Sequence, residues 1–360
     1  MPHFARKAGL VRGLLMFGLP VPLLIMAIAL LVAHDRMRQT LEDAIARNSS
    51  TLAQGMSFAA TQSLRETRSQ LSALATGSVD YEEFRERVWR RLSYMNETGD
   101  ARFCEAVFTG LGKQADKRFV WLCHNAHLVE VDPEMVEYMN GSPLQPPLRP
   151  PVRNETVLSG PLESVYSFTA PDTGEQVQTT MQVMRFTTPV YLAEGSLAGY
   201  LAVSLELSWM RNLVNNWTRG MGNGREALAF FVDRDGWMIF EGGTGKTGPG
   251  AQDADAPLMG TIDTVRSGFS GDFGRIGYSQ AFRPGSNYYS YWTMMNHIRA
   301  REAGQFFTSR IPWTRDGLPV EIVSYAPVTY ASGLEGHEDV IGGLVVLNVD
   351  LEEASTGSFL

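Results

Sequence analysis

The chain has 360 residues, 44% apolar and 19% charged, which fits a packed globular protein of about two folded units and excludes wholesale disorder. Lys+Arg 31 against Asp+Glu 39 gives a net charge of −8, which argues against a nucleic-acid partner, because neutralising phosphates needs clustered Lys and Arg. Two cysteines exclude a disulfide-dense scaffold and a Cys-based zinc finger.

Gly13 to Ala33 reads GLLMFGLPVPLLIMAIALLVA, without a single charge. As a helix this run spans about 30 Å, one hydrocarbon core. Pro20 and Pro22 are tolerable in such a helix. Arg6, Lys7 and Arg12 precede it, so residues 1–12 are expected in the cytoplasm and residues 34–360 outside. The other reading is a cleaved signal peptide. Its small-x-small pattern, Ala27–Ala29, falls inside the apolar run, and Leu31 stands where a small residue is wanted. Both readings export the same body.

Met37, Leu41, Ile45, Leu52, Met56, Ala59, Leu71 and Leu74 fall mostly at spacings of three, four or seven. This predicts a long amphipathic helix from Asp35 to about Ala75, with Gly55 as its weak point and Thr76-Gly77-Ser78 as its end. Its apolar stripe must pack on the protein's own body or on a second copy. Asp80 can cap a shorter helix, Tyr81 to Met95, with Phe84, Val88, Leu92 and Met95 on one face.

Beyond Ala101 the period becomes that of strands. RFCEAVFTG (102–110) and KRFVWLCHN (117–125) flank a polar turn and read as a hairpin. Centring the turn between Lys113 and Gln114 sets Cys104 opposite Cys123, giving either a cross-strand disulfide or two buried thiols. Residues 142–161 carry six prolines and are expected to be a long loop. Glu175–Tyr191 alternates as a strand, with Arg185 on its apolar face. LAGYLAVSLEL (197–207) follows as a strand. A short helix from Leu207 to Trp217 and a loop, TRGMGNG, close the unit.

The pattern then restarts. ALAFFVDRDGWMIFEG (227–242) is a hairpin turning at Asp233–Gly236, and PVEIVSYAPV (319–328) is a strand. IGGLVVLNVDL (341–351) aligns without gaps on LAGYLAVSLEL, an offset of 144 residues (197 to 341). Gly199 then meets Gly343, and each copy follows a strand ending in Pro-Val. This predicts a duplicated α/β unit with antiparallel sheets, an α+β fold.

FVDRDGWMIFEGG (231–243), SYAPV (324–328) with IGGLVVLNVDL, and RFTTPVYLAEGSLAGYLAVSLEL (185–207) resemble the double Cache family. These are PAS-like extracytoplasmic sensor domains of bacterial chemoreceptors, sensor kinases and cyclases. The resemblance implies a stalk helix (34–76), a membrane-distal lobe (77–210), a linker (211–224) and a membrane-proximal lobe (225–354). It implies an inner-membrane receptor that is a homodimer through the stalk, takes a small-molecule ligand in the distal lobe and needs no cofactor. Amino-acid-binding members carry Arg-x-Trp-Tyr in the loop before the central strands and an Asp on the strand matching 197–207. Here the loop offers Arg149-Pro150-Pro151-Val152, and Ser204 stands at the Asp position, which argues against an α-amino acid.

Arg149 and Arg185 are candidates for a carboxylate clamp, since guanidinium forks match carboxylates. For Arg185 the bland alternative is a surface salt bridge or an edge position after a bulge near Met184. Trp121 and Tyr166 either wall the pocket or are plain core, and Ser204 and Arg153 complete the candidates. The aromatic run Asn287–Trp292 is expected to pack under a long loop. GGTGKT (242–247) lacks the first glycine of a phosphate-binding loop, and His124 with His127 lacks further metal ligands. No set of convergent titratable groups stands out, so binding rather than catalysis is expected, with a membrane-anchored accessory protein or enzyme as alternatives. After Leu351 only EEASTGSFL remains, too short for a second span. A receptor of this layout would then be the front of a longer protein or would signal through a partner.

Overall fold

The computed structural model describes residues 20–76, 80–98, 103–124, 127–144, 149–171, 173–192, 194–219, 227–243, 271–275, 278–308, 320–334 and 338–349. The basic tail, Gly13–Leu19, most of TRGMGNG and of GGTGKT, and the stub beyond Val349 lie outside the described residues. The chain divides into two units, residues 1–48 and 49–360. In the first, the side chains from Leu23 to Val32 are exposed. Among the described residues no helix is long and apolar enough to cross a membrane.

Helix α1 spans Pro20–Ala75. From Leu52 onward its buried apolar residues include Leu52, Ala53, Met56, Ala60, Leu64, Leu71 and Leu74, one face at helical spacing. Gly55 is a seat rather than a weakness: a Cβ there would lie 2.6 Å from the Trp217 ring. Helix α2 (Tyr81–Thr98) puts Phe84, Val88 and Leu92 into the same cluster.

The first sheet contains β1 (Phe103–Gly110), β2 (Arg118–His124), β3 (His127–Val131), β4 (Glu137–Asn140), β5 (Val157–Thr169), β6 (Gln176–Tyr191) and β7 (Leu197–Glu206). Its order is β3-β2-β1-β7-β6-β5-β4. Helix α3 (Ser208–Arg219) leads to the second sheet. This comprises β8 (Ala227–Asp233), β9 (Met238–Gly243), β10 (Gly271–Arg275), β11 (Tyr278–Pro284), β12 (Gly304–Phe307), β13 (Val320–Ala331) and β14 (Glu338–Val349), with helix α4 (Tyr289–Arg299) between β11 and β12. Its order is β10-β11-β9-β8-β14-β13-β12. Every strand pair is antiparallel. The fold is α+β with two antiparallel sheets and a long N-terminal helix.

The closing strands occupy equivalent places: β7 lies between β1 and β6, and β14 between β8 and β13. The ungapped alignment is nevertheless one residue out. A Cβ on Gly199 would meet Thr109 O at 2.2 Å and the Phe108 ring at 2.9 Å; one on Gly342 would meet Val232 O at 2.0 Å and the Phe231 ring at 2.8 Å. Val190 pairs with Gly199 and Val328 with Gly342. The structural offset is therefore 143 (199 to 342). A one-residue slip turns every side chain to the other face, so burial fixes the register where the Gly-Gly pair in sequence leaves it open.

One face of each sheet joins the α1 cluster: Ala106, Phe108, Phe186, Leu201 and Val203 in the first, Ala229, Phe231, Ala326, Leu344 and Val346 in the second. Polar contacts pin β13 and β14 to α1. Ser57 donates to Pro327 O, Thr329 N donates to Thr61 Oγ1 at 3.2 Å, and Arg65 pairs with Glu338 at 2.6 Å.

Two loop expectations need correction. The proline-rich stretch ends in β5, where Gly160 (φ +127°) and Pro161 sit in a bulge between Ser159 and Leu162. A bulge tolerates the missing N–H of proline. The aromatic run enters α4 instead of lying under a loop. Tyr291 is buried and its hydroxyl donates to Gly236 O at 2.6 Å, and Trp292 Nε1 donates to Gly285 O at 2.9 Å. Cys104 and Cys123 are buried and grouped with Val183, and burial pushes the Cys104 thiol up.

The register makes a discriminating prediction. Gly199→Ala and Gly342→Ala should each cost about 1–3 kcal/mol in urea unfolding, because backbone must yield. Gly343→Ala should cost less, since its Cβ meets the Ile298 side chain (nearest atom Cδ1, 2.6 Å). The reverse ranking would restore the offset of 144.

Candidate functional site

With one face of the first sheet committed to the helices, odd residues of β1 from Glu105 on, odd residues of β6, and Tyr200, Ala202 and Ser204 of β7 point the other way. Glu105 pairs with Ser204, Ser204 with Arg185, and Arg185 with Ser159. Three polar side chains thus stand in a row across β1, β7 and β6. Arg185 Nη2 donates to Glu105 Oε2 at 2.6 Å, and Arg185 Nε donates to Ser204 Oγ at 3.0 Å. Ser204 Oγ donates to Glu105 Oε2 at 2.6 Å. Side-chain exposure is 7% for Arg185 and 1% for Glu105.

The row also holds the strap formed by β4 and the residues after it. Tyr138 OH donates to Glu105 Oε1 at 2.7 Å, and Arg185 Nη1 donates to Gly141 O at 2.6 Å. Burial, then the negative charge of Glu105, raises the Tyr138 pKa far above the usual phenol value, so the hydroxyl stays a donor. Gly141 has φ +66°, and a Cβ there would lie 2.7 Å from Glu163 O, so the strap can turn down onto the sheet here because no side chain intervenes.

Strap and sheet enclose a cavity of about 710 Å³. Arg185, Ala202, Thr187 and Tyr200 form part of its floor, Tyr138 and Pro143 belong to its strap side, and Arg149 also lines it. Arg149 is 67% exposed and donates from Nη2 to Glu155 Oε1 at 2.6 Å. The lining is mostly apolar with hydroxyls among it (Thr109, Ser159, Thr187), its charge is neutralised at the floor, and the Arg149–Glu155 pair stands at its side.

Of the sequence candidates, the structure brings Arg149, Arg185 and Ser204 to this region. The clamp is corrected in one respect. Arg185 spends all three nitrogens on the chain itself, so it braces the floor, and Arg149 is the cation nearer solvent. The expected bulge is present, but on the neighbouring strand: Gly160 and Pro161 of β5 face Met184, and Arg185 itself is buried on β6 inside the sheet, at neither a surface nor an edge. Trp121 lies on the helix side, stacked on Phe119 at 4.0 Å and edge-on to Trp89 at 5.0 Å. Tyr166 sits behind Tyr138, with ring centroids 5.6 Å apart, in a core cluster with Val107 and Phe168. The Arg153 guanidinium lies over the Tyr191 ring. Sequence reading missed Glu105, Tyr138 and Glu155. The signal for Glu105 was present: an acid inside an otherwise apolar strand needs a partner, and Arg185 was the matching anomaly.

The second sheet is the internal control. Its equivalent row is Leu228, Leu347 and Val323, all apolar. Tyr291, Met294, Met295 and Ile298 of α4 pack onto that face. Among the described residues no group of acids, cysteines and histidines is arranged to hold a metal ion.

No family model matches the chain, and no curated protein matches it. Solved structures do. One is the periplasmic sensory domain of the Campylobacter jejuni chemoreceptor Tlp1: 11% identity over 86% of this chain and 94% of that one, TM-score 0.43. Another is methyl-accepting chemotaxis protein X: 12% identity, 87% and 99%, TM-score 0.43. A third is the ligand-binding domain of the Pseudomonas aeruginosa PAO1 amino acid chemoreceptor PctB in complex with L-Arg: 15% identity, 89% and 91%, TM-score 0.41.

Breaking the row from one end should be costly. Arg185→Ala leaves Glu105 buried without its cation and should lose about 3–5 kcal/mol in urea unfolding. Replacing the whole row by its counterpart, Glu105→Leu with Ser204→Leu and Arg185→Val, should recover most of that loss. A triple variant as unstable as the single one would show that the row is needed for folding itself.

Proposed function

We propose that this chain is the extracytoplasmic ligand-sensing portion of a membrane-bound signal-transduction receptor, taking a small molecule in the cavity of the first sheet. The observation that carries the reading is the contrast between the two sheets. The same row and face are apolar and covered by a helix in one, and polar and hollow in the other. Burying an ion pair is a poor route to stability, so a polar floor beneath a cavity of small-molecule size fits binding. Glu105 and Arg185 neutralise each other there, which supports a binding site rather than a catalytic one.

The proposed ligand carries a carboxylate. Arg149 supplies a cation facing the cavity with most of its surface in solvent. An α-ammonium would have to compete for Glu105 with Arg185, Ser204 and Tyr138. The membrane anchor is proposed from the charge-free run to Ala33, whose side chains from Leu23 to Val32 are exposed. In this reading α1 is the stalk through which two copies associate.

The test is a thermal-shift screen of the full chain with small carboxylates, amines, purines and sugars. A carboxylate at a hundredfold excess over its Kd should stabilise by about 2.7 kcal/mol. Ala202→Trp, which fills the floor, should abolish the shift, and Arg149→Ala should weaken binding about tenfold or more. A shift that survives Ala202→Trp would overturn the site. Tight binding of an α-amino acid would overturn the carboxylate assignment, and no shift from any class would overturn the ligand-sensing reading.

A further inference from the structure

The segment from Arg149 to Thr156 links the cavity to the end of β13 before the chain enters β5. At its start, Arg149 lines the cavity and donates to Glu155, whose side chain is 1% exposed. The second carboxylate oxygen of Glu155 accepts from Val152 N at 3.0 Å, and Glu155 N donates to Val152 O at 3.0 Å. Glu155 is thus a buried anion fixed to its own turn and held by a cation that is mostly in solvent.

The next residue belongs to the other sheet as much as to its own. Thr156 N donates to Ser332 O at 2.8 Å, and Tyr330 OH donates to Thr156 O at 2.8 Å. Thr156 is fully buried. Gly333 (φ +104°) approaches so closely that a Cβ would lie 2.5 Å from Asn154 O and 3.2 Å from Arg68 Nη1. Arg68, on α1, donates from Nη1 to Ala331 O at 3.1 Å. The chain of contacts from cavity to helix is unbroken: Arg149, Glu155, Thr156, the Tyr330–Gly333 turn, Arg68.

A buried carboxylate that loses its cation is uncompensated and must find new partners or move. Drawing Arg149 toward a ligand in the cavity has the same effect on Glu155 as removing it. Thr156, one residue on, is hydrogen-bonded through its main chain to the far side, so it follows.

From this geometry we infer that Glu155 senses the position of Arg149 and transmits it through Thr156 and the Tyr330–Gly333 turn to Arg68 on the long helix. The inference deepens the proposed function and rests on that reading for its input, the ligand. The coupling itself is a property of the unliganded chain and is testable alone.

The experiment is hydrogen exchange with mass spectrometry on the full chain, without ligand. In Arg149→Ala, exchange should rise at least about fivefold in peptides covering 154–157, 327–333 and 64–72, while β8 and β9 keep wild-type rates. Arg149→Lys should largely restore protection. Adding Tyr330→Phe to Arg149→Ala should change residues 64–72 by less than the two single effects combined, the non-additivity that contacts in one route require. Changes confined to 149–157 in Arg149→Ala, or fully additive effects at 64–72, would overturn the route. A ligand screen without hits alongside these exchange changes would sink the ligand reading and keep the coupling. The opposite pair of results would do the reverse.

Discussion

Both sheets lay one face against the same long helix, and the rest of the molecule follows from that constraint. Side chains in a strand alternate between faces, so committing one face to α1 and its cluster fixes which residues point the other way. Each sheet is then left with a second face to cover. The second sheet covers it with α4 and closes it. The first covers it with a strap that stands off the sheet and leaves room beneath. The two lobes share the order of their four central strands and differ in their flanks and in how this one residual problem is solved.

The difference is written in the row across the central strands. Leu228, Leu347 and Val323 need nothing from their surroundings beyond contact. Glu105, Ser204 and Arg185 need each other, Tyr138 and a backbone carbonyl. A buried ion pair in a fully bonded network adds little net stability compared with apolar side chains of similar size, but it fixes geometry, because partial satisfaction is costly. Here it fixes the strap. The polar row ties the lid of the cavity to its floor at Tyr138 and Gly141.

Much of this was legible in the sequence. The hairpin around Lys113 and Gln114, the one at Asp233–Gly236, both closing strands and the long helix all follow from local period and turn chemistry. Asp233 shows why: its Oδ1 accepts from Asp235 N and Trp237 N at 2.9 Å each, a turn encoded within five residues. What escaped depends on distant partners. Glu105 and Arg185 are 80 residues apart in sequence and meet because β7 lies between their strands. The offset of 143 instead of 144 escaped because Gly342 and Gly343 are identical letters, and contact with Val232 O separates them. α4 was legible, since Tyr291, Met294, Met295 and Ile298 fall at helical spacing, but the aromatic run that opens it drew the reading to a loop instead.

Gly55 carries one more consequence. Its missing side chain gives the Trp217 indole a place on α1, as a keyway receives a key. One helical turn away on either side stand Thr51 and Ala59, whose Cβ atoms offer no such recess. Axial travel of the helix past α3 by a full turn would therefore force the indole out of its seat. Tilt about that point would keep the indole seated but must strain the Ser57, Thr61 and Arg65 contacts to β13 and β14.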